Sequence, residues 1–293
     1  MKRISLICLI FCFVHTIIKC QEQKQSFLLT PEKVFLGETI IYAGTMIGLN
    51  ALWYKNYEHS GFHWFDDRKE WLQMDKLGHG FSAYYMSNIS TALFRQTKWT
   101  NNKITIIYGS LTAWFYISTV EIFDGFSSKW GASYSDLIAN TLGTGIFTFQ
   151  ALQFGKQIIV PKFSFHQTHY SQYRPDALGK NMLQNLLKDY NGQTYWLSVN
   201  IRDVSGSEKI PRWLNFAIGY SANGMLGGIE NPQTLPYYKR TRQFFLSMDV
   251  SFKKITVRSK CLKQIFNLIN VIKIPFPSLI MTNNQLKFSL FYF

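Results

Sequence analysis

Leu214-Asn-Phe-Ala-Ile-Gly-Tyr-Ser221 sets a large apolar residue against a small or polar one at every step. Period two marks a strand with one apolar face. The rhythm returns upstream, where Gln193–Ile201 puts Tyr195, Leu197, Val199 and Ile201 on one side. Downstream, Phe244, Leu246, Met248, Val250 and Phe252 alternate with Phe245, Ser247, Asp249 and Ser251, and Leu286–Phe293 supplies a fourth strand. Leu262 to Ile272 reads as one short helix.

An apolar-out, small-or-polar-in rhythm is that of outer-membrane barrel strands, but such barrels need about eight strands. Four strands predict a small antiparallel sheet, packed on helices or lying at a membrane surface. Before the sheet come four uncharged apolar runs of 16 to 19 residues. They predict helices over about Val34–Tyr54, Lys76–Phe94, Ile104–Phe123 and Tyr134–Phe154. Their length is at the lower limit for spanning a bilayer of about 30 Å. Trp53, Tyr54, Tyr57, Trp64, Phe65 and Trp71 between them read as an interfacial aromatic belt. Ser, Thr, Asn and Gly in the second and fourth runs, and three Lys/Arg in Arg95–Lys103, weigh against a simple spanning topology. The predicted fold is α+β: a four-helix, membrane-associated bundle followed by a small antiparallel β-sheet. Its parts are a signal peptide over 1–20, a helical domain over 30–157 and a basic, β-rich region over 158–293.

Composition agrees with an envelope protein. The chain is 47% hydrophobic, 17% aromatic and only 16% charged, against about 25% charged residues in ordinary soluble domains. Its net charge of +14 is uneven. Residues 1–155 hold 13 Lys/Arg and 11 Asp/Glu, whereas residues 156–293 hold 18 and 6. A basic half in a membrane-like chain points to lipid head groups as the partner. No nucleic-acid-binding motif accompanies the charge, so nucleic acid is not expected. Lys2, Arg3 and the apolar Ile4–Ile18 form a secretory signal, with cleavage expected near Cys20-Gln21. A lipobox ending at Cys20 would want a small residue where Lys19 stands. With Cys8, Cys12 and Cys20 removed, Cys261 would have no partner for a disulfide. The expected location is the cell envelope, at a membrane: the outer membrane or periplasmic face, with the inner membrane as the alternative.

Three polar clusters interrupt the apolar runs: Asp75-Lys-Leu-Gly-His79, Glu121-Ile-Phe-Asp124 and Ser133-Tyr-Ser-Asp136-Leu-Ile-Ala-Asn140. Asp75 and His79 are four apart and share a helix face. The carboxylate either caps the helix or orients the imidazole as a base or ligand needs. Glu121 and Asp124 end a helix, where carboxylates oppose the dipole. Ser133 and Asp136 open the next helix as a capping box, and Asn140 lies one turn below Asp136. Ser135, Ala139 and Gly143 form a small-residue ridge that lets another helix approach. Buried carboxylates need partners. Asp75, His79, Glu121, Asp124, Ser135, Asp136 and Asn140 are therefore expected to converge into one polar site. No metal ligand set is assigned, since no His-Glu-x-x-His helix or other metal spacing occurs. The cofactor and the oligomeric state stay open, and His166 and His169 read as surface residues.

Residues 71–146 resemble the YfiM-type family of Gram-negative envelope lipoproteins, a family without assigned function. The pattern is Trp71, Asp75-Lys76, His79, Glu121-x-x-Asp124, Ser135-Asp136 and the helix with Asn140 and Gly143. A more distant similarity is to VanZ-like membrane proteins, through the Asp-Lys-x-x-His opening, the later Glu and the Asp-x-x-x-Asn helix. The arginine of that group has no counterpart here, where Ser127-Ser128-Lys129 stands. Asp189-Tyr-Asn-Gly-Gln-Thr-Tyr-Trp196 resembles the C-terminal extension of Bacteroidetes-type members. These likenesses imply an envelope protein whose cluster is structural or ligand-binding. The alternative is a membrane enzyme, metal-assisted, acting on a lipid or peptidoglycan-related substrate.

Overall fold

The structure is a computed structural model that describes residues 29–50, 58–128 and 130–292. The signal peptide, Cys20, Trp53, Tyr54, Tyr57 and Lys129 lie outside the described residues. The fold is α+β, helices first and an antiparallel sheet second. Two compact units divide it: Met1–Arg68 with Lys76–Gln157, and Lys69–Asp75 with Ile158–Phe293.

Four long helices build the first unit: α1 (Pro31–Leu49), α2 (Met74–Phe94), α3 (Asn102–Gly125) and α4 (Tyr134–Phe154). Three of the four starts carry a capping signal. Thr30 caps α1 ahead of Pro31, the Asn101 side chain accepts from the N–H groups of Lys103 and Ile104, and Ser133 Oγ accepts from Asp136 N–H. Gly155, at φ 63°, ends α4 in the left-handed conformation that glycine adopts without strain. Gly143 sits against α2, where any β-carbon would lie 2.7 Å from the Gly80 carbonyl carbon and closer to its oxygen. The small-residue ridge thus does in the fold what its spacing predicts: it admits a backbone.

The helices are polar inward and apolar outward. Asp136, Asn140, Thr144 and Gln150 of α4 are buried, while Ile138, Leu142 and Phe149 are exposed. On α3 the outward face carries Ile107, Leu111, Phe115 and Ile122. Among the described residues α3 is the one helix long and apolar enough to cross a membrane, and half of its apolar window is buried.

The second unit is a six-stranded antiparallel meander in sequence order: β1 (Ile159–Phe165), β2 (Gln193–Asn200), β3 (Leu214–Asn223), β4 (Thr241–Val250), β5 (Phe276–Thr282) and β6 (Gln285–Tyr292). Short helices α5 (Pro175–Leu178), α6 (Met182–Lys188) and α7 (Ile201–Ser205) lie in its connections, with α8 (Lys260–Ile269) before β5. The expectation of four strands is corrected to six. Both missed strands contain proline, Pro161 in β1 and Pro277 in β5, a residue that argues against a strand in sequence. The sheet curls strongly. Tyr292 of β6 lies 6.2 Å ring to ring from Trp196 of β2, though strands four places apart in a flat sheet are about 19 Å apart. Gly219 permits this curl, because a β-carbon there would meet the Trp196 ring at 2.6 Å.

The inner face of the curled sheet is an unusual core. Trp196, Ala217 and Phe245 pack at one level. Lys162, opposite Trp196 in the register, reaches Asp249 of β4; the two are fully buried and pair at 2.8 Å. Ser198 Oγ donates to Asp249 at 2.6 Å, and Asn215 Nδ2 donates to Ser198 at 2.8 Å. Lys273 stacks on Trp196, its Nζ 5.0 Å from the ring centre, and burial pulls its amine down to about 8. His166, expected at the surface, is half-buried with its ring 6.2 Å from Tyr292. His169 is exposed.

Lys69–Asp75 belongs to this unit. Trp71, Leu72 and Gln73 run consecutively at φ 48°, 49° and 66°, and a left-handed turn costs about 1–2 kcal/mol per non-glycine residue. Local bonds offset that strain. Trp71 N–H donates to Gly228 at 2.7 Å, Tyr220 Oη donates to the Leu72 carbonyl at 2.6 Å, and Arg242 donates to Gln73 Oε1 at 2.9 Å. Trp71 is consequently buried against Tyr190, with ring centres 5.4 Å apart, and is no member of an interfacial belt.

Candidate functional site

The first unit gathers side chains from three helices around His79. On α2, His79 is 4% exposed. Its Nδ1 lies 3.1 Å from Asn140 Oδ1 of α4 and 3.8 Å from Glu121 Oε1 of α3. Its Nε2 lies 3.5 Å from Asp136 Oδ2 of α4. With Asn140 Oδ1 as the acceptor of this contact, Nδ1 is its donor. Asn140 Nδ2 is buried with no hydrogen-bond partner among the described residues. Glu121 Oε2 accepts the Ser133 N–H at 3.1 Å, which ties the end of α3 to the start of α4.

Lys76, one turn ahead of His79, reaches the same floor. Its Nζ donates to Asp136 Oδ1 at 2.6 Å and also to Asp67. Asp67 is the residue that sequence reasoning missed. It accepts from Ser133 Oγ and Ser135 Oγ at 2.6 Å each, held in place because the chain beside it pairs with Ala132. Burial pushes its carboxyl up, but the bonds from Lys76, Ser133 and Ser135 and the lysine charge outweigh burial and hold it below the ordinary value. The one sequence signal for it was an acidic pair, Asp66-Asp67, inside an aromatic linker.

The other expected residues stand as follows. Ser135 is half-buried and serves Asp67. Asp124 is buried at the end of α3, one turn beyond Glu121. Asp75 is buried, shares a face of α2 with His79 and accepts from Tyr190 Oη at 2.7 Å within the second unit. His79, Glu121, Asp136 and Asn140 thus come together, with Lys76 and Asp67 beneath them. Three carboxylates there, Asp67, Glu121 and Asp136, face Lys76 and one imidazole. An imidazole nitrogen and a carboxylate oxygen 3.5 Å apart are suited to a divalent ion. Two ligands of a tetrahedral zinc, each about 2.0–2.1 Å from the metal, are about 3.3 Å apart.

A second buried acid lies on α1. Glu38 is 2% exposed. Its Oε2 accepts from Ser90 Oγ of α2 at 3.1 Å, and its Oε1 has no hydrogen-bond partner among the described residues. Burial pushes its carboxyl from 4.5 up to about 7, the Ser90 bond opposing. The folded state thus holds this proton where the unfolded state has lost it. Its contribution to stability is full below pH 4.5 and declines as pH rises through 7. Glu38→Gln is expected to flatten that decline and to raise the melting temperature at pH 8, as thermal unfolding across pH 4–8 would show. An unchanged slope in the variant would contradict this.

Residues 62–152 match a protein family described as predicted periplasmic lipoprotein (DUF2279). No curated protein and no solved structure matches the chain. The match covers His79, Glu121, Asp136 and Asn140 and is a likeness of the helical part. It agrees with an exported chain that resides in the cell envelope in association with a membrane.

Proposed function

We propose that the protein is an exported, membrane-associated envelope protein whose helical unit binds a cationic ligand, a divalent metal ion in the simplest case, between His79 and Asp136. One observation carries the reading: Nδ1 of His79 is engaged by Asn140, so a neutral ring turns its Nε2 lone pair toward Asp136 Oδ2 at 3.5 Å. Two electron-rich atoms so placed in a buried site repel unless a proton or a cation lies between them. A hydrogen bond would draw the pair to about 2.7–3.2 Å. The negative balance of the cluster favours the cation. Asn140 fixes the ring, as the outer partners of metal-bound histidines do, and its Nδ2 remains to hold a water or an anionic group of a ligand. In this reading the YfiM-type pattern is the imprint of the same cluster.

The apolar outer faces of α1, α3 and α4 support membrane association. A soluble helix turns such a face inward.

The test is thermal unfolding of the purified protein in detergent, with and without Zn²⁺ or Mn²⁺, beside native mass spectrometry. Saturation at 100 times Kd is expected to stabilise the fold by about 2.7 kcal/mol. His79→Ala and Asp136→Asn are expected to fold and to lose that response. If the wild type holds no ion and both variants simply melt earlier, the cluster is a structural ion-pair network and the proposal fails.

A further inference from the structure

The sheet of the second unit is built inside out. Along its inner face, facing strands present Ser198, Asn215, Asp249 and Lys162, all buried. Along its outer face a row crosses five strands, in register: Leu197, Ile218, Leu246, Leu279 and Phe288. Every member of that row is exposed, from 39% to 62%. Phe216, Phe244 and Met281 on neighbouring rows are exposed as well. A sheet with one face in water puts its polar residues on that face. Here the face that could be wet is the apolar one, and the polar groups turn inward, where Lys162, Ser198 and Asn215 bond to one another or to Asp249 Oδ2, while Asp249 Oδ1 has no hydrogen-bond partner among the described residues. Such polarity suits a sheet whose outer solvent is hydrocarbon.

A second feature says what kind of hydrocarbon. Between residues 253 and 263 stand five cations, Lys253, Lys254, Arg258, Lys260 and Lys263, and no acid, and of these Lys254 pairs with Asp203. The segment leads from the end of β4 into α8, where Leu262, Ile265, Phe266 and Ile269 fall on one helix face and Lys260, Lys263 and Asn267 on the other. Leu262 and Ile265 are exposed. The helix is held at the end of the sheet by the Phe252–Phe266 ring contact at 5.6 Å and by Asn270, which accepts the Lys253 N–H at 3.4 Å. A basic, amphipathic helix with exposed apolar residues fits the head-group layer of an anionic membrane. It fits a second copy poorly, because two such patches would repel each other.

We infer that the outer face of the β sheet is a lipid-facing surface, seated against phospholipid acyl chains, with α8 lying at a layer of anionic head groups. The inference rests on the reading of the chain as membrane-associated and adds that the second unit itself enters the lipid, rather than being carried beside it by the helices.

The experiment uses the full chain with its other cysteines replaced and one environment-sensitive fluorophore attached at a time. The positions are Leu246→Cys and Ile218→Cys on the outer row, Tyr237→Cys in the β3–β4 connection, where the native side chain is 89% exposed, and the native Cys261 of α8. Proteins are reconstituted in vesicles of phosphatidylglycerol with phosphatidylethanolamine, or of phosphatidylcholine alone. Nitroxides on the acyl chains are expected to quench positions 218 and 246 strongly and 237 hardly at all, and iodide to do the reverse. A head-group nitroxide is expected to quench Cys261 in the anionic vesicles. That quenching should weaken in Lys260→Gln/Lys263→Gln and in about 1 M NaCl, where the screening length is about 3 Å.

If 218 and 246 stay open to iodide while the protein remains vesicle-bound, the helical unit alone is the anchor. The inference then fails while membrane association stands. Loss of vesicle binding altogether would remove both. Shielding of 218 and 246 from iodide and acyl nitroxide alike, with a cross-linked dimer, would assign the face to a second copy and overturn the inference.

Discussion

Lys162→Met is expected to lower the unfolding free energy by about 3–5 kcal/mol, the usual cost of removing one partner of a buried ion pair. Lys162 and Asp249 are both fully buried and meet at 2.8 Å, and Lys162 Nζ also donates to the Val250 carbonyl at 2.7 Å. Without the lysine, Asp249 keeps the Ser198 hydroxyl at 2.6 Å and the charge of Lys273, an amine that burial has already pulled down to about 8. An ionised carboxylate in that position must be protonated or drag water into the sheet. The double variant Lys162→Met/Asp249→Leu is expected to recover most of the loss, because replacing a whole buried pair with apolar groups is often neutral or favourable. Denaturant unfolding of the two singles and the double in detergent measures this as a coupling energy. Additive losses would show that the pair is not a unit.

Gly143→Ala is expected to cost about 3 kcal/mol, the upper end of ordinary overpacking penalties, since the obstacle is backbone rather than a side chain that could turn away. The added carbon would press on the Gly80 carbonyl, and α2 would have to move off α4. His79 is the residue before Gly80 on α2, and Asn140 lies one turn before Gly143 on α4, so the displacement would open the 3.1 Å contact between them. The cation-dependent rise in melting temperature should vanish along with the stability. Gly145→Ala is the control. Nothing lies within 4 Å of its β-carbon, so helix propensity alone predicts a gain of about 0.5–1 kcal/mol. Equal losses in both variants would mean that glycine flexibility, rather than close approach, is what α4 requires.

Much of this architecture was legible in the residues because it depends on local periodicity. The span Tyr134–Phe154 of α4 follows from an uncharged run bounded by the Ser133 cap and Gly155, and β3 follows from strict alternation after Leu214. Local rules also misled at particular places. Proline hid β1 and β5, and Trp71 read as an interfacial aromatic although it is buried. The Leu72 and Gln73 conformations that accompany that burial are strained ones no propensity favours.

By itself the sequence determined that helices precede an antiparallel sheet, the place of four of its six strands, and which polar residues interrupt the apolar runs. Spacing puts Asp136 and Asn140 on one face, and a carboxylate in an apolar stretch has to find a partner. Only the tertiary structure decided who the partners are. His79 and Asp136 are 57 positions apart and meet through the Gly80–Gly143 approach. Asp67 enters the cluster because its segment pairs with Ala132. Lys162 finds Asp249 because the sheet curls. Long-range pairing depends on which surfaces pack, a choice made by the free energy of the whole chain, and no local pattern of residues encodes it.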